Sequence, residues 1–428
     1  MGNDFYPALR LIIPEKDRDR AMYGLKEKAI AKLLIKTLKI GAKSDDGLAL
    51  TEWKMPGQAS KTAGDFPSRC HEVLQKRAMR SGVGDMSIAE VNILLDKLSD
   101  EQKEEGQLPI FETFYTRMGA EELTWLIRII LRQMKLGASE KTILDKWHPQ
   151  GEALFSVSSS LRRVCWDLHD PNASSYGEDT RNRVELMACF QPQLAQFQMR
   201  TFEQTLHKLG CTAEHPEYWI EEKLDGERMQ LHMQEDPNHP GGKRFRFWSR
   251  KAKDYTHLYG DGFEDEGSAL TRHLKDAFHE GVSEIILDGE MITWDPDTNK
   301  MLPFGTLKSA AKSEQMYENG ARPLFRVFDC LFLNGNPLVK YELQERRKVL
   351  NKTVNDVYQR MEKHHFKEAR SVTAIDEELR KIVENASEGL VLKNPRSAYQ
   401  LNDRNNDWVK VKPEYMTGFG EELDCVIM

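Results

Sequence analysis

Lys223 closes an apolar, aromatic approach, Trp219-Ile220-Glu221-Glu222, and Leu224-Asp225-Gly226 follows it. Asp-Gly is a strong turn signal, so the stretch reads as a strand running into a tight turn. A lysine at that point projects into whatever cleft the turn borders. Its amine is a nucleophile if its surroundings hold it deprotonated part of the time. Taken alone, the stretch has a plainer reading, an exposed lysine on a hairpin.

Five further stretches join it. Ser249-Arg250 follows a strand-like run, and Asp288-Gly289-Glu290 ends a short buried one. Phe328-Asp329 lies inside an apolar strand, and Glu388-Gly389-Leu390-Val391-Leu392-Lys393 opens a strand with a carboxylate. Trp408-Val409-Lys410-Val411-Lys412 alternates strictly, which puts Trp408, Lys410 and Lys412 on one sheet face. Each has an ordinary structural explanation by itself: a solvent-facing glutamate, an exposed lysine face, a core phenylalanine.

As an ordered set these stretches resemble the covalent nucleotidyltransferases: ATP-dependent DNA ligases, RNA ligases and mRNA capping enzymes. Longer phrases resemble the eukaryotic DNA ligases of double-strand-break repair. They are LDGERMQ (224–230), DGEMITWDP (288–296), KVKPEY (410–415), EELD (421–424), AGDFP (63–67), WLIRIILRQMKLG (125–137) and LHDP (168–171). The resemblance implies three steps. ATP adenylylates Lys223, AMP passes to a DNA 5′-phosphate, and a 3′-hydroxyl seals the nick. A free lysine has a pKa of about 10.4, and nearby cations disfavour its protonated form. Lys410, Lys412 and Mg²⁺ would supply that effect and neutralise the phosphates. Mg²⁺ prefers oxygen ligands, which makes Glu290 and Glu388 its expected protein ligands.

The resemblance also implies that Glu221, Glu222 and Leu224 line the adenine side, Arg228 meets the ribose and Phe328 stacks on the base. Arg250, Glu290, Lys393, Lys410 and Lys412 complete the nucleotide-contacting set. In one regular strand Glu388 and Lys393 would face opposite ways, so a bulge or an early strand end is required. Related ligases commonly continue Ser-Arg with Asn-Gly; here Lys251-Ala252 stands instead.

The elements that must position these residues fall into two parts. At 428 residues, 39% apolar and 30% charged, the chain is comfortable as two domains. Residues 1–200 read as an all-α domain and 201–428 as an α+β domain with antiparallel sheet. Helices are expected over Met22–Ile40, after a capping box at Ser87 to Glu90, over 121–136, over Leu161–Leu168 and from about Arg183 to Pro192. In the second part helices are expected near 266–280, 341–363 and 375–386. Residues 171–180 read as a loop.

The net charge of −7 hides a split, +1 for residues 1–200 and −8 for the remainder. A nucleic-acid footprint must therefore come from local basic faces. Lys28, Lys32 and Lys36 form a stripe that reads as a solvated face. Arg128, Arg132 and Lys135, on one side of a very apolar helix, are expected to grip DNA phosphates across the minor groove. The six cysteines are scattered without paired short spacing, which fits a reducing compartment. No apolar run reaches membrane-span length.

By resemblance, residues 1–200 are a DNA-binding domain and 201–428 an adenylation domain. The expected partner is nicked or broken double-stranded DNA, and the expected location is the nucleus. Family members continue into an OB-fold and tandem BRCT domains, and the segment between the BRCT domains grips a coiled-coil scaffold protein. Those are expected to be absent here, leaving a fragment that joins DNA poorly alone. An RNA ligase or capping enzyme is the same-chemistry alternative, against which the long helical preface argues. A non-catalytic DNA clamp is the other, against which the intact lysines and glutamates argue.

Overall fold

The computed structural model describes residues 4–55, 64–80, 82–169, 184–199, 201–303, 305–314, 320–384 and 387–413. The expected loop at 171–180 and the EELD phrase lie outside these residues. The chain divides into two compact units. One comprises Met1–Phe155 with Ser160–Tyr176, the other Ser156–Ser159 with Gly177–Met428.

The first unit is helical among its described residues. Its helices are α1 (Tyr6–Ile12), α2 (Glu27–Thr37), α3 (Asp45–Thr51), α4 (Phe66–Arg77), α5 (Ile88–Asp100), α6 (Glu104–Arg117), α7 (Ala120–Leu131) and α8 (Glu140–Trp147). The next, α9 (Gly151–Ser158), runs to the unit's edge, and α10 (Leu161–Asp167) returns to it. Side-chain caps fix several starts. The Ser87 hydroxyl accepts from the Glu90 N–H, and the Glu90 carboxylate accepts from the Ser87 N–H, satisfying two amides that a helix N-terminus leaves open. Apolar residues at helical spacing, such as Ile30, Leu33 and Leu34 on α2 or Leu123, Leu126 and Ile130 on α7, meet in one core. Lys28, Lys32 and Lys36 are exposed, as a solvated face requires.

Among its described residues the second unit carries two sheets. The first runs in the order β1 (Leu194–Phe197), β12 (Arg404–Val411), β11 (Leu390–Lys393), β2 (Tyr218–Glu222), β10 (Phe366–Ala369). The second runs β4 (Lys243–Ser249), β3 (Glu227–Glu235), β5 (Glu284–Asp295), β7 (Arg322–Leu333), β8 (Asn336–Pro337), with β6 (Lys300–Leu302) on β5 and β9 (Met361–Lys363) on β7. Pairing is antiparallel except for β1 on β12 and β9 on β7. Because β1 already belongs to a sheet, the second unit begins upstream of residue 201.

Alternation sorts each strand into two faces. Tyr218, Ile220, Leu390, Leu392, Val409 and Val411 pack against α11 (Phe202–Lys208) and α15 (Val372–Glu384). Met229, Leu231, Phe247, Leu287 and Phe325 join the core behind the second sheet, with Leu350 of α14 (Leu343–Thr353). The opposite faces carry the polar residues. Short helices α12 (Thr256–Tyr259) and α13 (Leu307–Glu314) complete the unit.

In the second unit three expected helices differ. Residues 184–193 are not helical, and Arg183 lies outside the described residues. Over 266–280 only the 3₁₀ turn Thr271–His273 forms. Leu270, Leu274 and Ala277 have helical spacing and are fully buried, but an irregular segment delivers them to the core. The helix expected over 341–363 stops at Thr353, and Met361–Lys363 is a strand.

Candidate active site

Lys223 is the first residue past β2. Its N–H donates to the carbonyl of Gly389 (2.8 Å), which ties the turn to the start of β11. Two glycines make this approach possible. A Cβ on Gly226 would lie 2.4 Å from the Met291 carbonyl, and Gly389, at φ +154°, would bring one to 2.3 Å from the Val411 carbonyl. The β11 strand proper begins at Leu390, so Glu388 precedes it and the expected parity conflict with Lys393 does not arise.

Glu388 is the centre of the charge arrangement. Lys223 Nζ contacts its Oε2, and Lys412 Nζ lies 3.1 Å from its Oε1. Burial works against the Glu388 charge, but Lys223 and then Lys412 hold its carboxyl below the usual range. Lys410 Nζ sits 3.8 Å from the ring centre of Phe197. Burial, then the charges of Arg404, Lys223, Lys412 and Arg250, lower its pKa. Glu290 keeps part of its surface open, yet enclosure by the protein pushes its carboxyl up to about 8; Arg228 and Lys223 oppose that, and Asp288 and Glu388 add to it.

Above this sits a box of rings and cations. Asp288 takes both Arg228 Nε (2.6 Å) and Nη2 (2.5 Å). The Arg228 guanidinium lies 4.6 Å from the Phe328 ring centre and 5.4 Å from that of Trp408. Lys393 Nζ lies 4.2 and 4.1 Å from the same rings and 2.6 Å from Glu221 Oε2. Arg347 reaches within 3.8 Å of Glu221 Oε1, but among the described residues that oxygen has no hydrogen-bond partner. It is a buried acceptor awaiting a donor.

The profile described as "ATP dependent DNA ligase domain" matches residues 192–412, and that described as "DNA ligase N terminus" matches residues 1–148. The chain belongs to the ATP-dependent DNA ligases. It is 60% identical over its whole length to "DNA ligase 4" of Coccidioides immitis and to that of Aspergillus fumigatus, and 44% identical to that of Yarrowia lipolytica. It spans 44% of the length of each of these relatives.

Not every expected residue joins the ligase site in the expected way. Glu221 faces the box, whereas Glu222, one residue on, is exposed on the other face, where its carboxylate accepts from Ser387 Oγ (2.6 Å). Its carbonyl serves the site indirectly, bonded to His364 Nε2 at 2.9 Å. Leu224 is half-exposed in the turn. Arg250 is exposed beside Arg228, whose carbonyl accepts its N–H at 3.1 Å. Phe328 is buried among cations rather than presented as an open stacking face. Lys393 is buried as the counter-ion of Glu221, not aimed into open space.

The basic stripe of the helical unit is also rearranged. Helix α7 stops at Leu131, and Arg132 (φ 56°) and Lys135 (φ 51°) are left-handed, so the three side chains share no helical face. Arg128 and Lys135 converge on Asp65, each at 2.7 Å, while Arg132 donates to the carbonyls of Arg20 (3.1 Å) and Ala21 (3.4 Å). Sequence reasoning also missed Tyr399, Arg347 and His364. Nothing local marks them, because tertiary approach alone brings them to the site.

Proposed function

We propose that this chain carries the nucleotidyl-transfer chemistry of an ATP-dependent DNA ligase, with Lys223 as the covalent nucleophile. The observation that carries the reading is the sharing of Glu388 by Lys223 and Lys412. A strand-end lysine is held at a carboxylate with a second cation on the carboxylate's other oxygen, beside Glu290 and Lys410.

The site's donors fit ATP. The Glu221 oxygen without a hydrogen bond among the described residues suits an exocyclic amine of a base, and Arg228 suits a ribose hydroxyl. Lys410, Lys412 and Arg250 suit phosphates. Attack needs the Lys223 lone pair, so its ion pair with Glu388 must open; Lys412 is placed to keep that carboxylate compensated. The Lys223 nitrogen then bonds to the α-phosphorus and gives up its proton, and the bond to the departing pyrophosphate breaks. In the second step a DNA 5′-phosphate oxygen takes the AMP, breaking the P–N bond and returning lysine. In the third a 3′-hydroxyl attacks the DNA 5′-phosphorus, the phosphodiester forms and the bond to AMP breaks, so that AMP leaves.

Among the described residues no group of three or more His, Cys, Asp or Glu side chains forms a metal cage. Glu290 and Glu388 are nevertheless a suitable pair for Mg²⁺, which commonly uses one or two carboxylates plus phosphate oxygens and water. Bound there, it would supply charge neutralisation at the phosphates.

For the whole protein we infer a role in joining double-strand breaks in the nucleus. Arg128, Arg132 and Lys135 would grip DNA, and a coiled-coil scaffold would bind C-terminal BRCT domains.

The test is intact mass after incubation with ATP and Mg²⁺, beside Lys223→Ala. Gain of one AMP by the parent alone is expected. No adduct, even with the C-terminal region of a relative supplied in trans, overturns the reading.

A further inference from the structure

Tyr399 lies between the stretches that hold Lys393 and Trp408, and it is fully buried. Its backbone is fixed by an N–H bond to the Val339 carbonyl at 2.8 Å. Its hydroxyl has two partners. It accepts from the Gln193 N–H at 3.1 Å and lies 2.6 Å from Asp288 Oδ2. A hydroxyl has one proton. Since Gln193 supplies a proton of its own, that of Tyr399 must point at Asp288, and the direction of the bond is settled.

Asp288 in turn holds Arg228 through both oxygens, and Oδ2 serves Arg228 and Tyr399 together. Burial works against charge on Arg228, but the Asp288 carboxylate outweighs it and keeps the guanidinium firmly charged. An aspartate holding only an arginine can turn with it. An aspartate whose second oxygen is also pinned by a rigid, buried phenol cannot. Tyr399 packs edge-on against Trp408 (ring centres 5.8 Å), one of the rings beside which Arg228 lies, so its own position is over-determined.

We propose that Tyr399 is a positioning residue for nucleotide binding, acting through Asp288 to aim the Arg228 guanidinium at the ribose. This rests on the nucleotide reading of the site given above. Tyr399 touches no reacting atom. Its effect falls on the affinity and discrimination of the ribose contact, not on the bond-making at Lys223.

The experiment measures the rate of Lys223 adenylylation against concentration for ATP and for 2′,3′-dideoxy-ATP, which lacks both ribose hydroxyls. The proteins are the parent, Tyr399→Phe, Arg228→Ala and the double variant. Tyr399→Phe keeps the ring and removes the hydroxyl. One hydrogen bond to a charged group is expected to be worth about tenfold in KM for ATP, with the rate at saturating ATP changed less than about twofold on the same principle. The preference for ATP over the dideoxy analogue should shrink with it. That ratio belongs to the folded molecules, so a lower folded fraction does not move it. In the Arg228→Ala background the second substitution should change neither quantity.

A Tyr399→Phe variant that keeps the parent's preference overturns the proposal. So does a full additional loss on top of Arg228→Ala. If Arg228→Ala itself discriminates as the parent does, the ribose assignment of Arg228 is wrong and the positioning role falls with it. A parent that neither binds ATP nor forms an adduct removes the nucleotide reading instead, an outcome distinct from the other three.

Discussion

Lys393 and Glu221 form an ion pair 2.6 Å long in which neither side chain is more than 3% exposed. Burial lowers the Lys393 pKa, with Glu221 opposing. Burial also works against charge on Glu221, but Lys393, His364 and Arg347 hold its carboxyl low. The pair fixes the carboxylate whose other oxygen, among the described residues, lies 3.8 Å from Arg347 and has no hydrogen-bond partner. Removing one member of a buried pair strands the other, which costs roughly 3–5 kcal/mol. Lys393→Met is therefore expected to lower the stability of the nucleotidyltransferase unit by about 3 kcal/mol in urea unfolding. Adding Glu221→Gln should recover much of that loss. A single variant within about 1 kcal/mol of the parent would mean that the pair is compensated some other way.

His232 is a buried base with a settled tautomer. Its Nδ1 accepts from the Met187 N–H (3.1 Å), so the ring proton sits on Nε2, which faces Gln230 Oε1 at 3.1 Å. Burial pushes its pKa from the ordinary 6.5 down to about 3. The folded form keeps the proton off, whereas the unfolded chain takes it up below about pH 6.5. Stability from this group is thus fully present above that pH and is lost as pH falls towards about 3. Between pH 7 and 5 the parent should lose about 2 kcal/mol relative to His232→Gln, which has no proton to gain. Parallel stability–pH curves for the two proteins would refute this.

By the family resemblance Ala252 takes the place of a glycine, and its φ is 56°. The turn survives: the Ala252 N–H reaches the Ser249 carbonyl (2.8 Å), and the Ser249 N–H reaches the Lys253 carbonyl (2.9 Å). A left-handed alanine costs roughly 1–2 kcal/mol, against roughly 0.5–1 kcal/mol for the extra freedom glycine loses on folding. Ala252→Gly should raise stability by about 0.5 kcal/mol, a shift of about 1–2 °C in Tm. A lowered Tm would show that the methyl group contributes packing that outweighs the strain.

The site was legible wherever one strand or one turn held the information. Asp225-Gly226 marked the turn after Lys223, and the alternation from Trp408 to Lys412 placed its side chains on the correct face. Parity required an irregularity between Glu388 and Lys393, and the strand does start only at Leu390, after Gly389. The helix expected over 266–280 failed because burial of Leu270, Leu274 and Ala277 satisfies the same spacing without a helix. Tyr399 and Asp288 lie 111 positions apart, and no local pattern reports a hydrogen bond across that separation.

Asp65 holds Arg128 and Lys135, two of the three basic residues proposed to meet DNA. It takes Arg128 on one oxygen and Lys135 on the other, and its carboxyl lies well below the usual range, since these partners with Ser68 outweigh the effect of burial. It also caps α4, accepting from the Ser68 N–H at 3.2 Å. A phosphate must compete with it for both cations. Asparagine caps a helix as well as aspartate does, so Asp65→Asn leaves the helix start intact while releasing Arg128 and Lys135. Each phosphate contact contributes about 0.9 to the slope of log affinity against log salt. Asp65→Asn should therefore tighten binding to duplex DNA and steepen that slope by about 1 to 2. Arg128→Gln with Lys135→Gln should flatten it. If neither change moves the slope, these residues serve the fold through Asp65 and the DNA footprint lies elsewhere on the unit.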